Sequence, residues 1–348
     1  MGLFFNKKDS SITKKDFYLH IGLAKTGTTT IQNYFSNNSD KLLEHGILYP
    51  RTGRLGGGHV QIATMYTATD RQNSKQKSYT RNLKPLTLRD NILYELEMAT
   101  NNIDSVLISA ELFGESSNEQ IELFFEHYQE YFNIKVIIYL RRQDFLSESL
   151  VSQAYKVKLK NFSKDKFFLK TEGIQNFKEL IKMWGNHVGE KNLILREYFK
   201  AESGVLINGF NKIISLNSDL DLSEAINLNI SLGRDSVEYL RNFTRLQFGE
   251  NLYFKAVSVL SKYSEKNPTN PEYVKYFSPA QRQKILNYYL EDNRAISKKY
   301  FSGKLFRKCP DIDLTEPWSK YPGLNDDQVK KIETFLQESG LNLKQVRN

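Results

Sequence analysis

The sequence predicts an α/β fold, with a central parallel sheet flanked by helices and a mostly helical C-terminal part. Short apolar runs alternate with amphipathic segments through about residue 215, and only helical patterns follow. The clearest runs, 105–109 and 135–140, are apolar on both faces, which is typical of strands covered on two sides in a parallel sheet. We therefore expect a single domain over residues 1–348, with a core at about 17–215 and a helical extension at about 230–348.

The individual elements follow from local patterns. Strands are predicted for the apolar runs 17–21, 46–50, 105–109, 135–140 and 192–195. Helices are predicted after Gly27, from about 141 onward, and at about 85–101, 117–131, 175–190, 203–215, 234–247, 251–264, 278–300 and 325–338. The polar stretches 72–81 and 217–227 are predicted as an exposed segment and a linker.

The composition restricts the ligands that the protein could bind but does not identify its function. The net charge of +9 suits an anionic ligand or surface, and 22 Phe with 20 Tyr can form a sizeable core. The lone Cys309 excludes an intramolecular disulfide, and the five histidines show no metal-ligand spacing, so no metal is expected. No run reaches the roughly 18 apolar residues that would predict a transmembrane segment. The expected location is cytoplasmic, or peripheral to the inner membrane.

The most informative stretch runs from Gly22 to Thr30, where an apolar run ends in a loop that opens a helix. The glycines let the backbone curl, and the first turn of the helix directs its N–H groups and dipole toward the loop. Lys25 adds a positive charge, and Thr28, Thr29 and Thr30 add hydroxyl donors. This order predicts a site for a phosphate-like anion.

The residue order in this loop differs from that of nucleotide triphosphatases, which place lysine directly after the last glycine. The order Lys25-Thr26-Gly27-Thr28-Thr29 instead resembles the 5′-phosphosulfate loop of sulfotransferases that use 3′-phosphoadenosine 5′-phosphosulfate (PAPS). In that family an arginine at the end of a central strand binds the 3′-phosphate, with a serine eight residues later. Here Arg141 closes the predicted strand and Ser149 follows at that spacing.

The resemblance implies a P-loop-like sulfotransferase fold, PAPS as co-substrate and 3′,5′-adenosine diphosphate as product, without a metal. The implied donor-binding residues are Lys25, Thr26, Gly27, Thr28, Thr29, Thr30, Arg141 and Ser149, with Arg142 as the alternative arginine. Looser matches at 184–198 and 229–233 resemble bacterial sulfotransferases acting on cell-surface or capsular glycans. The implied partner is a glycan or another acceptor with a hydroxyl or amine, and not a nucleic acid.

Sulfuryl transfer also needs a base that removes the acceptor proton, and two residues compete for this role. Glu111 follows the 105–109 strand, where relatives carry a catalytic histidine or carboxylate. His59 follows the glycine triplet 56–58, which predicts mobility, close approach to a ligand, or a plain connector. The sequence leaves the choice between the two open, and we expect Lys25 to stabilise the leaving group.

Two other function classes remain as alternatives. A small-molecule kinase using ATP and magnesium would need a Gly-Lys-Ser/Thr turn, which the chain lacks. A nucleic-acid binder is suggested by the charge and the aromatic content, but no recognition motif accompanies the dispersed positive charge. Dependence of activity on magnesium, and salt-dependent binding of random oligonucleotides, would favour the first and the second respectively.

Overall fold

The computed structural model describes residues 14–67, 78, 80–99, 102–157, 176–199, 203–216, 232–242 and 245–341. They contain a five-stranded sheet in the order β2-β3-β1-β4-β5. Its strands are β1 (Lys15–His20), β2 (Ile47–Leu48), β3 (Ser105–Ser109), β4 (Phe132–Leu140) and β5 (Leu193–Glu197). Strand β1 pairs in parallel with β3 and β4, and β2 pairs in parallel with β3. The predicted parallel sheet is confirmed.

The helices fall between and after these strands. Those of the first part are α1 (Thr28–Asn37), α2 (Ser39–Glu44), α3 (Val60–Met65), α4 (Pro85–Glu97), α5 (Asn118–Tyr128), α6 (Gln143–Val157), α7 (Phe177–Val188) and α8 (Ser203–Ile213). The C-terminal ones are α9 (Arg234–Asn242), α10 (Arg245–Lys266), α11 (Pro271–Val274), α12 (Pro279–Tyr288), α13 (Leu290–Tyr300) and α14 (Asp326–Glu338). The predicted helical C-terminal part is therefore confirmed.

The chain divides into two compact units, one of residues 1–140, 180–196 and 200–226 and one of residues 141–179, 197–199 and 227–348. The first unit contains β1 to β4 and residues 193–196 of β5, and it is packed with aromatic side chains. Phe17 of β1 lies 5.4 Å from Tyr128 and 6.1 Å from Phe124 between ring centroids. Both partners lie on α5, so this helix covers one face of the sheet.

The second unit is helical and has its own apolar core. Buried Val151 of α6, Val237 of α9, Leu260 of α10 and Ile332 of α14 belong to the same cluster. The helices bury these side chains on one another because an amphipathic helix must cover its apolar face. The single-domain boundaries expected from the sequence stay a prediction.

Several boundaries differ from the sequence-based prediction. Strand β4 begins at Phe132, three residues before the apolar run, because Asn133 and Lys135 alternate with buried residues and bond Asp16 on β1 at 2.7 and 2.5 Å. The helix predicted at 278–300 is divided at Tyr289 into α12 and α13. The linker 217–227 and most of the polar segment 72–81 lie outside the described residues.

Candidate active site

Three residues of the loop after β1 adopt the left-handed backbone conformation. Gly22, Lys25 and Gly27 all have positive φ angles, of 50°, 69° and 79°. A side chain at Gly22 would also place its Cβ 3.0 Å from the hydroxyl of Thr28. Gly22 is therefore needed both for its conformation and for the close approach of the helix start.

Lys25 holds the left-handed conformation without being a glycine, which costs roughly 1–2 kcal/mol. Such strain is concentrated at functional sites, where the surrounding structure fixes the residue in place. The conformation is therefore a reason, independent of the sequence motif, to assign Lys25 a functional role.

The threonines of the loop have different environments. The hydroxyl of Thr26 is buried and donates to the carbonyl of Leu23 at 2.6 Å, so it closes the loop on itself. Thr29 is exposed, whereas Thr28 and Thr30 are buried. The first hydrogen bond of α1 runs from the N–H of Ile31 to the carbonyl of Gly27 at 3.1 Å. The N–H groups of the preceding turn therefore point toward the N-terminal end, as an anion site requires.

Glu111 lies next to this loop, at the start of the 3-10 turn Glu111–Glu115 that follows β3. Surrounding protein desolvates its carboxyl group and raises its pKa, although the side chain still reaches solvent. The positive charge of Lys25 and a hydrogen bond with Thr28 act in the opposite direction. The three side chains therefore form one electrostatic group at the end of β1 and β3.

His59 lies in a different environment from Glu111. Its imidazole has no exposed surface, and burial lowers its pKa to about 3. Nδ1 accepts the main-chain N–H of Ser109 at 3.2 Å, and Nε2 lies 3.0 Å from the carbonyl of Pro50. The ring is thus neutral and carries its proton on Nε2, and both ring nitrogens make hydrogen bonds within the protein. These contacts argue against the role of base that the sequence allowed for His59.

The last two glycines of the triplet before His59 serve packing. A Cβ at Gly57 would lie 2.8 Å from the main chain of Gln32, and one at Gly58 would lie 2.6 Å from its side chain. Glu95 holds the start of this loop by accepting the N–H groups of Arg51 and Thr52, both at 2.7 Å. The close approach that the glycines permit is therefore to helix α1 of the protein itself.

In the second unit, the two arginines after β4 have separate roles. Arg142 makes a buried two-point ion pair with Asp144, at 2.8 and 2.9 Å, and donates to the carbonyl of Pro310 at 2.7 Å. Arg141 is only half-buried, and its guanidinium lies 5.4 Å from the centre of the Tyr198 ring. The guanidinium nitrogens of Arg142 are therefore bound within the protein, whereas the guanidinium of Arg141 lies beside an aromatic ring.

Strand β4 ends at Leu140, where the sequence predicted the end of this strand, and α6 begins at Gln143. Ser149 therefore lies in the second turn of α6, half-buried, and not at the start of the helix. Sequence reasoning also passed over Ser109, whose only signal was a polar residue at the end of an apolar strand.

Within the described ranges, no group of three or more His, Cys, Asp or Glu side chains is placed to hold a metal ion. Over the same ranges, no helix combines the length and the apolar character needed to cross a membrane.

Two solved structures of sulfotransferases are similar to this chain. A sulfotransferase from Alicyclobacillus acidocaldarius matches with a TM-score of 0.44 and 11% identity, over 61% of this chain and 86% of that one. The sulfotransferase domain from the curacin biosynthetic pathway matches with a TM-score of 0.37 and 11% identity, over 80% of this chain and 97% of that one. No family model and no curated protein sequence matches the chain. The function is therefore argued below from the side chains themselves.

Proposed function

We propose that the protein transfers a sulfuryl group from PAPS to a hydroxyl or amine of an acceptor, a cell-surface or capsular carbohydrate. The observation that carries the proposal is the group formed by Lys25, Thr28 and Glu111. It combines a cation, a helix N-terminus and a carboxyl group of raised pKa at the end of two adjacent strands. In parallel sheets this edge is where ligands bind.

In this reaction one S–O bond forms and another breaks. The acceptor oxygen bonds to sulfur as the bond between sulfur and the bridging oxygen of the 5′-phosphate breaks, leaving 3′,5′-adenosine diphosphate. Lys25 and the N–H groups of residues 27–30 would stabilise the charge on the departing phosphate. The acceptor proton would pass to Glu111, whose raised pKa makes it a stronger base than an ordinary carboxylate.

We also propose which residues bind the 3′-phosphate of the donor. Arg141 would bind the 3′-phosphate, supported by its position directly after β4 and by the Tyr198 ring that orients it. Ser149 would add one hydroxyl donor, as the family resemblance implies. This assignment explains why the donor should be a 3′-phosphorylated nucleotide and not AMP.

The carbohydrate acceptor rests on the sequence resemblance at 184–198 and 229–233 together with the net charge of +9, which favours an anionic polymer. Transfer of labelled sulfate from PAPS to a panel of acidic and neutral bacterial polysaccharides tests it. Labelling of small phenols or steroids in preference to polysaccharides would reject this acceptor class while leaving the sulfotransferase reaction in place.

Calorimetric binding of 3′,5′-adenosine diphosphate, with 5′-AMP as the comparison ligand, tests the donor site. We expect the bisphosphate to bind and AMP to bind at least tenfold more weakly. Lys25→Met removes the charge while keeping an unbranched chain, and should abolish binding. Arg141→Ala should reduce the preference for the bisphosphate, because it removes the contact to the 3′-phosphate.

Matched controls are available for both changes. Lys41 of α2 and Arg294 of α13 are exposed residues of the same types, so Lys41→Met and Arg294→Ala should bind the bisphosphate like the unaltered protein. Equal or absent binding of the two nucleotides would reject the proposal. Tight binding of ATP with magnesium in the same calorimeter would instead support the kinase alternative.

A further inference from the structure

Among the residues that the structure describes, no strand pairs with the outer edge of β3 near its end. Strand β2 contains only Ile47 and Leu48 and pairs with β3 no further than Val106. Pro50, two residues beyond β2, has no N–H to offer, so the ladder cannot continue there. The main-chain groups of Ser109 on this side must therefore find other partners.

His59 supplies those partners. Its main-chain N–H donates to the carbonyl of Ser109 at 2.8 Å, and its Nδ1 accepts the N–H of Ser109 at 3.2 Å. Its Nε2 donates across the gap to the carbonyl of Pro50 at 3.0 Å. His59 thus makes the hydrogen bonds that a neighbouring strand would otherwise make, and it links the segments that end at Pro50 and Ser109.

The side chain of Ser109 is fixed as well. Its hydroxyl lies 2.8 Å from Nδ1 of His20, the last residue of β1, and receives the amide of Gln32 at 3.3 Å. Gln32 lies on α1, so both contacts come from the elements that flank the Lys25 loop. The next residue, Ala110, donates to the carbonyl of His20 at 3.0 Å.

Glu111 follows this fixed segment directly. We infer that His59 is a positioning residue, which holds the end of β3 so that the carboxyl group of Glu111 faces Lys25 and Thr28. The inference rests on the proposed function insofar as it concerns turnover, but the placement of Glu111 can be measured without any reaction. In this role His59 acts by positioning Glu111 and does not itself accept the proton of the acceptor.

Nuclear magnetic resonance of the protein with ¹³C-labelled glutamate tests the inference, with Glu111→Gln identifying the Glu111 carboxyl signal. The groups acting on this carboxyl are Lys25, Thr28 and Glu115, and desolvation is the largest influence on its pKa. In His59→Leu, which removes both imidazole hydrogen bonds, we expect the carboxyl group of Glu111 to lose its placement against Lys25 and Thr28. The pKa of Glu111 should therefore differ from its value in the unaltered protein.

Two further variants separate positioning from loss of fold. His59→Asn keeps an acceptor near the Nδ1 position, so it should fold and retain most of the raised pKa of Glu111. His45 is an exposed histidine of the same unit, and His45→Asn should leave that pKa unchanged. In turnover, His59→Leu should lower kcat on the order of 10–100-fold with a smaller change in KM for PAPS, and His59→Asn should recover part of the loss.

An unchanged pKa of Glu111 in a folded His59→Leu variant would overturn the inference. Complete loss of turnover in both His59 variants, with the pKa of Glu111 unchanged, would make His59 the base itself. Failure of the unaltered protein to bind 3′,5′-adenosine diphosphate would reject the proposed function, while the titration would still decide whether His59 positions Glu111.

Discussion

Arg142 and Asp144 form a buried ion pair in which two guanidinium nitrogens meet two carboxylate oxygens at 2.8 and 2.9 Å. The neighbouring Arg141 is half-buried, and its guanidinium lies 5.4 Å from the centre of an aromatic ring. The two adjacent arginines therefore have different roles. Arg142 stabilises the fold, and Arg141, as proposed, binds the donor nucleotide.

Arg142→Ala should reduce the free energy of unfolding by about 3 kcal/mol or more, because it leaves the carboxylate of Asp144 buried without its partner. Arg141→Ala should reduce it by less than Arg142→Ala does, because the two-point ion pair of Asp144 stays in place. Urea denaturation of both variants measures the difference. A larger loss for Arg141→Ala would contradict the division of roles.

Lys25→Gly should be more stable than Lys25→Ala, because glycine removes the cost of the left-handed conformation at this position. After allowing for the entropy of glycine in the unfolded chain, the expected gain is about 0.5–1 kcal/mol. Both variants should lose binding of 3′,5′-adenosine diphosphate. Thermal unfolding of the two variants measures their stability, and calorimetry measures their binding of the nucleotide. Equal stability of the two variants would show that the conformation of Lys25 carries no strain.

Gly57→Ala should destabilise the protein by roughly 1–3 kcal/mol, because the new methyl group would meet the main chain of Gln32 at 2.8 Å. Gly209→Ala is the control, since Gly209 is exposed on α8 with no atom within 4 Å of an added Cβ. There alanine should stabilise by about 1 kcal/mol through helix propensity. Thermal unfolding of the two variants should shift in opposite directions, and a neutral Gly57→Ala would indicate a mobile loop.

Acid should destabilise the protein through His20 and His59, because burial lowers the pKa of each histidine from 6.5 to about 3. The unfolded chain binds protons below pH 6.5 while the folded chain does not, so stability is complete above that pH and falls toward pH 3. Each histidine should account for about 2 kcal/mol of the loss between pH 7 and pH 5.

Replacing one of these histidines isolates its contribution. His20→Leu should lose about 2 kcal/mol less than the unaltered protein between pH 7 and pH 5, as measured by urea denaturation at both values. His45→Asn, which changes an exposed histidine, should keep the original pH dependence. Identical pH dependence in His20→Leu and the unaltered protein would mean that His20 becomes protonated without unfolding.

The sequence alone predicted the strands and most helices because these depend on local patterns of apolar residues. It missed α2 and α3, which have only six residues each and too few turns to show a helical period. It also placed the start of β4 too late, because the alternating residues Phe132–Ile134 lie outside the continuous apolar run.

The sequence also predicted the loop between β1 and α1, since strand, glycines, lysine and helix start lie within a few residues of one another and need no distant partner. The sequence left open the choice between Arg141 and Arg142 and the choice between Glu111 and His59, and the tertiary structure bears on both. Arg142 is bound by the carbonyl of Pro310, 168 residues away, and His59 by Ser109, 50 residues away. Burial and hydrogen bonding between distant segments decide whether a charged or basic side chain is available to a substrate, and no local pattern records them.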